Sequence, residues 1–143
     1  MSAADLTGLT VTHRRYVAYS SAHYAGELVD GAYVLGLFGD VATELCIRTD
    51  GDEGLLASYT DVQFRAPVRA GDVLEVQARL LRAGSRSRLV ELEARVVCRG
   101  QPDRPDAPTS AAEVLDPPLV AVTASATVVV PSSKGSVGHR PFG

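Results

Sequence analysis

Lysine is nearly missing from this chain: Lys134 stands alone beside thirteen arginines. Arginine forks suit paired contacts to phosphate, so the bias leaves phosphate binding open. Cysteine is equally sparse. Cys46 and Cys98 are the only two in 143 residues, which excludes a disulfide framework, and their spacing fits no metal-ligand pattern. Both fall in apolar segments, where buried free thiols are expected. No strong charge of one sign is present. A net charge of −3 supplies no electrostatic footprint for nucleic acid. No apolar run approaches the ~18 residues of a membrane span. The start, MSAADLTGL, has neither the basic nor the apolar region of a secretory signal. With 45% hydrophobic and 22% charged residues, the composition is that of an ordinary globular domain, able to bury a core without metal or disulfide staples. A cytoplasmic enzyme or small-ligand binding domain fits these exclusions, with no nucleic acid and no membrane among its partners.

The periodicity predicts one helix among strands. His13 to Tyr19 reads as a short strand. Asp30 is an N-cap type with Gly31 in the first helical turn. Val34, Leu35, Phe38, Val41, Ala42, Leu45 and Cys46 then follow helical spacing and make a broad apolar stripe. TDGDEG, Thr49 to Gly54, stops the helix; it lacks the calcium-loop pattern of an EF-hand and reads as a turn. Leu55 to Val68 is extended, with Pro67 marking its end. Val73 to Leu81 and Arg88 to Arg99 alternate apolar and polar residues around a turn at Ala83 to Arg86. A long Pro-rich connection follows, in which Ser110 to Glu113 is a capping-box pattern that predicts a short helical turn. Leu119 to Val130 is the last strand. Residues 1–130 are expected to form one domain and 131–143 a flexible tail. One helix against a mostly antiparallel sheet is a two-layer α+β arrangement, that of the hotdog fold, with the sheet wrapped around the helix.

The stretch GDVATEL interrupts the apolar helix with two acids. Asp40 and Glu44 are one turn apart, a spacing that costs a helix a few tenths of a kcal/mol. With Tyr33 and Leu37 they form a narrow second stripe. A helix wrapped by a sheet has one side left for a partner subunit or a ligand, and these acids are expected there. The ordinary reading of Glu44 is an ion pair with Arg48 at i+4. That of Asp40 is a solvated or interface acid.

Several segments carry a resemblance. AHY, LVDGA, GDVATEL and DGDEGL, all between Ser21 and Leu55, resemble the 3-aminobutyryl-CoA and β-alanyl-CoA ammonia lyases. SYTDVQFRAPVRAGD and SAAEVLDPP extend the similarity from about Tyr19 to Pro131. The resemblance implies a carbon–nitrogen lyase that adds ammonia to the β-carbon of an α,β-unsaturated acyl thioester, or removes it. It implies no metal or redox cofactor. The acyl group is carried on coenzyme A or a phosphopantetheinyl acyl carrier protein and enters at a dimer interface. A homodimer is expected, with a trimer of dimers as the larger assembly. Where the family has Asn just before LVDG, this chain has Glu27, which leaves open ammonia or a small amine such as glycine as the nucleophile.

Such chemistry needs a polarised thioester carbonyl, and free backbone N–H groups near Gly31 can supply it. Glycine there also lets an acyl group approach. A carboxylate must stabilise the amine as it gains charge, and another must move a proton from nitrogen to the α-carbon. Glu44 is expected as the shuttle, its pKa raised by burial and a like-charged neighbour, and Asp40 as the amine-holding anion; the reverse assignment stays open. Tyr24, Glu27, His23 and Tyr33 are the further substrate-binding candidates, with packing as the ordinary role of Tyr24 and a structural hydrogen bond that of His23. Arg86, Ser87 and Arg88, on a turn, are candidates for the carrier phosphate, or a solvated turn. A hotdog thioesterase, with a helix carboxylate activating water, is the alternative function. A non-catalytic acyl-thioester-binding domain is the second.

Overall fold

The computed structural model describes residues 2–101 and 104–131. Five antiparallel strands form one sheet in the order β1-β3-β4-β5-β2. They are β1 (Thr10–Tyr16), β2 (Leu55–Phe64), β3 (Val73–Ala83), β4 (Ser87–Gly100) and β5 (Ala112–Val129), with the single long helix α1 (Gly31–Asp50) between β1 and β2 in the chain. The α+β reading therefore holds, and the sheet wraps α1 between its two edge strands.

Helix α1 starts and stops where its sequence chemistry dictates. The Asp30 carboxylate accepts the Tyr33 N–H at 3.0 Å, and Gly51 closes the other end in the left-handed region at φ 66°, its N–H bonding the Ile47 carbonyl. Val34, Phe38, Val41, Ala42, Leu45 and Cys46 are buried. They meet Leu74, Val76 and Leu80 of β3, Val90, Leu92 and Val96 of β4, and Val122, Ala126 and Val128 of β5 in one core. Leu35 is only half-buried, at the margin of the stripe.

Four expected boundaries move, among them the end of the second strand, which stops at Phe64 instead of running to Val68. The first strand begins earlier, at Thr10, and ends at Tyr16. Past it, Val17 bonds across to Asp72 and Gly71, and the chain turns out of the ladder at Tyr19. The expected helical turn at Ser110–Glu113 is strand from Ala112 onward: Ala112, Glu113 and Val114 pair with Gly100, Arg99 and Cys98. A ladder of several strand pairs outweighs an isolated capping box, which nucleates poorly without a longer helix behind it. Pro117 and Pro118, which marked a loop in the sequence, sit where the register slips between Val96↔Leu119 and Cys98↔Val114, so neither needs to donate an N–H. From Ser132 onward the expected tail lies outside the described residues. Among the described residues no helix is long and apolar enough to cross a membrane.

Candidate active site

The two acids of α1 have different surroundings. Asp40 is exposed and joins none of the ion pairs among the described residues. On one flank of this face stands Tyr59 from β2. Its hydroxyl donates to the Leu35 carbonyl at 2.5 Å, beside Gly39. Burial pushes the Tyr59 phenol pKa up, and the negative charge of Asp40 adds to it.

Glu44 is engaged on both oxygens. His13 Nε2 of β1 lies 2.8 Å from Oε1, and Arg48 Nε donates to Oε2 at 2.7 Å. These hydrogen bonds, His13 first and Arg48 second, hold the carboxyl below the ordinary glutamate range despite some desolvation. The expectation of a raised pKa is therefore corrected: the like-charged neighbour faces solvent, while two donors face the carboxylate. The i+4 pair with Arg48 is present as well.

The helix start holds the second half of the candidate site. A cavity of about 320 Å³ is lined by Val29, Gly31, Val34, Phe64, Val68 and Val122 among others. Asp30 caps Tyr33, and the Gly31 and Ala32 N–H groups lie before that bond, at the positively polarised end of the helix. Gly31 has a packing reason of its own: a Cβ there would stand 2.9 Å from Cζ of Phe64.

On the other side of Pro67 is a larger cavity, about 810 Å³, lined by Tyr19, Glu27, Arg69, Asp72, Arg99 and Thr109 among others. Asp72 is fully buried and accepts Arg99 through Nε and Nη2, so that pair is internally neutral. Glu27 holds a left-handed backbone at φ 62°, a conformation that favours Asn or Gly. It is pinned there because its carbonyl accepts the Ala70 N–H and Leu28 bridges to Arg69. His23 and Tyr24 precede it. Both N–H groups donate to the Leu28 carbonyl, and their rings meet edge to face at 4.6 Å. Tyr33 is half-buried and packs on the core.

Tyr24, Glu27 and Gly31 thus gather at the start of α1, and Asp40 and Glu44 lie farther along it. The Arg86–Arg88 turn does not join them within one chain. It sits at the opposite end of α1, which at twenty residues spans about 30 Å. Arg88 is corrected as a phosphate ligand. It is buried, its Nε and Nη2 bond the Asp50 carboxylate at 2.9 and 2.6 Å, and Nη1 bonds the Gly84 and Ser87 carbonyls. Arg86 stays exposed with one bond to the Val130 carbonyl, and Ser87 is exposed beside it. Cys46 is buried as expected, but Cys98 is only partly so. No cluster of metal-ligating side chains occurs among the described residues.

Sequence reasoning missed His13 and Tyr59. A signal for His13 existed: it lies two residues after buried Val11 on β1, on the same strand face, which turns it toward the helix.

Comparison with known proteins agrees with this architecture. Residues 28–101 match the family model described as the thioesterase superfamily. The 3-aminobutyryl-CoA ammonia lyase of Acetoanaerobium sticklandii is 52% identical over 113 residues, covering 79% of this chain and 87% of that one. The solved β-alanyl-CoA:ammonia lyase from Clostridium propionicum superposes with a TM-score of 0.80 at 33% identity, over 87% of this chain and 86% of that one. An acyl-CoA hydrolase from Staphylococcus aureus, solved with butyryl coenzyme A, shares the fold at a TM-score of 0.67 and 19% identity, over 88% of this chain and 65% of that one. The chain belongs to the family of 3-aminobutyryl-CoA and β-alanyl-CoA ammonia lyases, carbon–nitrogen lyases built on the hotdog fold of the thioesterase superfamily.

Proposed function

We propose that the chain catalyses reversible addition of ammonia to the β-carbon of a short α,β-unsaturated acyl thioester carried on coenzyme A, in the cytoplasm. The observation that carries this reading beyond family membership is the pairing of two differently held carboxylates on one helix face. Glu44, fixed and ionised between His13 and Arg48, is the anion toward which the amine gains positive charge. Asp40, accessible and without an ion-pair partner among the described residues, takes a proton from the new ammonium and delivers it to the α-carbon. Gly31 lies nine residues, about 13 Å, along α1 from Asp40 of its own chain, so in this reading the helix start of a second copy polarises the thioester oxygen and stabilises the enolate that forms when nitrogen bonds to the β-carbon. The acyl tail occupies the apolar cavity at the helix start.

A homodimer through the free edge of β2 completes the site in this reading. That edge exposes Leu55, Leu56 and Phe64, an unpaired strand with apolar side chains. The second subunit would also bring another Arg86–Ser87 turn within reach of a thioester whose acyl end lies at Gly31.

A small amino acid as the nucleophile is favoured by one observation. Glu27 and Arg69 line the larger cavity together, and a carboxylate beside a guanidinium matches a zwitterion.

The test is incubation with crotonyl-CoA and ammonia, then with glycine, following enoyl absorbance and free thiol together. Loss of absorbance without thiol release is the expected result. Thiol release makes the chain a thioesterase, and no change with any thioester refutes both enzymatic readings.

A further inference from the structure

We propose that Phe64 is a specificity-determining wall of the acyl cavity and favours short acyl chains over long ones. The inference rests on the lyase reading for its choice of thioesters, but its geometry stands alone. The para end of the Phe64 ring points at the first residue of α1: Cζ and Cε1 lie 2.9 and 3.0 Å from where a Gly31 Cβ would stand. Only glycine admits the ring so close to the helix start. The ring therefore sits against the first residue of the helix, and in the lyase reading it bounds the space beyond the β-carbon.

The floor of the cavity is built of side chains that cannot yield, while Asp30, Arg65, Ala66 and Pro67 line its rim. Val34 and Val122 are about 1% exposed, Val68 is 4% exposed and Val29 is 9% exposed, so four β-branched side chains anchored in the core form the floor. Phe64 is 57% exposed in the single chain, so its ring can be removed without opening the subunit core; because it also stands on the β2 edge assigned to the dimer, size exclusion checks that Phe64→Ala keeps the wild-type assembly. At about 320 Å³ the cavity is at the small end of ligand sites. A longer tail must displace the ring, and the ring is backed by the helix.

The experiment compares Phe64→Ala and Phe64→Leu with the wild-type chain, by calorimetric binding of butyryl-CoA and octanoyl-CoA and by kcat/KM for crotonyl-CoA and octenoyl-CoA with ammonia. Saturated thioesters read chain-length selectivity even when no amine adds. The octanoyl preference is expected to rise by about tenfold or more in Phe64→Ala, with Phe64→Leu between it and wild type. A ratio unchanged within about twofold in both variants overturns the proposal. Shifted binding without amine addition leaves the wall in place and removes the lyase reading. The Gly31 contact has its own readout. Gly31→Ala is expected to lower Tm in the Phe64 chain and to leave it equal or higher in the Phe64→Ala background, where the clash is gone and alanine favours the helix. Additive effects of the two substitutions would show that the ring does not rest on Gly31.

Discussion

Replacing Asp50 with alanine should destabilise the fold more than any other single surface-proximal change. Asp50 is the last residue of α1, and its carboxylate takes two bonds from Arg88 on β4 and one from the Thr49 hydroxyl. The side chains of Arg88 and Asp50 are 8% and 15% exposed, so neither charge has much water to fall back on. Burial raises the Asp50 pKa, but the hydrogen bonds of Arg88 and Thr49 outweigh it and hold the carboxyl below the ordinary range. Breaking one side of a buried pair costs about 3–5 kcal/mol, chiefly from the charge left behind. Arg88 keeps the Gly84 and Ser87 carbonyls at 2.9 and 2.8 Å, which places Asp50→Ala at the lower end, about 3 kcal/mol. For a domain of this size that is a fall in Tm of about 10 °C. Urea unfolding followed by circular dichroism and fluorescence measures it, and Arg88→Met in the Asp50→Ala background should recover much of the loss, because no charge is then buried. The sign with pH follows from the lowered pKa. The pair contributes above the unfolded aspartate pKa, about 3.9, and is lost as pH falls through the lowered folded value, so wild type and Asp50→Ala converge only in more acid solution than that. A difference under about 1 kcal/mol at neutral pH would refute the buried-pair account, since that is the range of an exposed bridge. Arg88→Met carries a functional readout too. With its guanidinium turned inward, KM for crotonyl-CoA should not change; a tenfold rise, about 1.4 kcal/mol, would return Arg88 to the phosphate site.

Asp40→Asn and Glu44→Gln should each lower turnover by about 100-fold or more while leaving the circular dichroism spectrum intact; near-wild-type turnover in either removes that residue from the chemistry. His13→Gln should shift the acid limb of the activity profile to higher pH, because the first of the bonds holding Glu44 ionised is weakened. In stability, the Glu44 contribution is present above the unfolded glutamate pKa and is lost as pH falls through the lowered folded value, and acid unfolding of His13→Gln should begin at higher pH than that of wild type. Cys46, its thiol pushed up to about 11 chiefly by burial, should resist an aromatic disulfide reagent in the native state while Cys98 reacts first; prompt modification of both thiols would contradict the packing.

What the sequence could disclose was whatever one segment decides by itself. The apolar stripe of α1, its Asp30 cap and the Gly51 stop are local, and each appears where its chemistry places it. The alternation of β3 and of β4 from Val90 to Val96 is equally local and was legible, while at Val97 and Cys98 it breaks. The start of β5 was not, because Ala112 to Val114 become strand only when Gly100 to Cys98 lie alongside, and no window within the segment contains that partner. The same limit governs Arg88. Its position beside a turn reads as exposed, and only the helix end brought across the sheet supplies the carboxylate that turns it inward.

The acids of GDVATEL combine both cases. Their spacing was enough to put them on a common face and to pair Glu44 with Arg48. It was silent on His13, thirty-one residues earlier in the chain, which completes the clasp around Glu44. That long-range contact is what distinguishes two residues the sequence treats alike. Enzymes that run acid and base steps with like groups separate them by environment, one held charged and one left free to exchange protons. Here the β1 histidine and the helix arginine hold Glu44, and among the described residues nothing comparable holds Asp40. The proposed division of labour follows from that asymmetry: a fixed anion for the amine, and a free carboxylate to carry its proton to carbon.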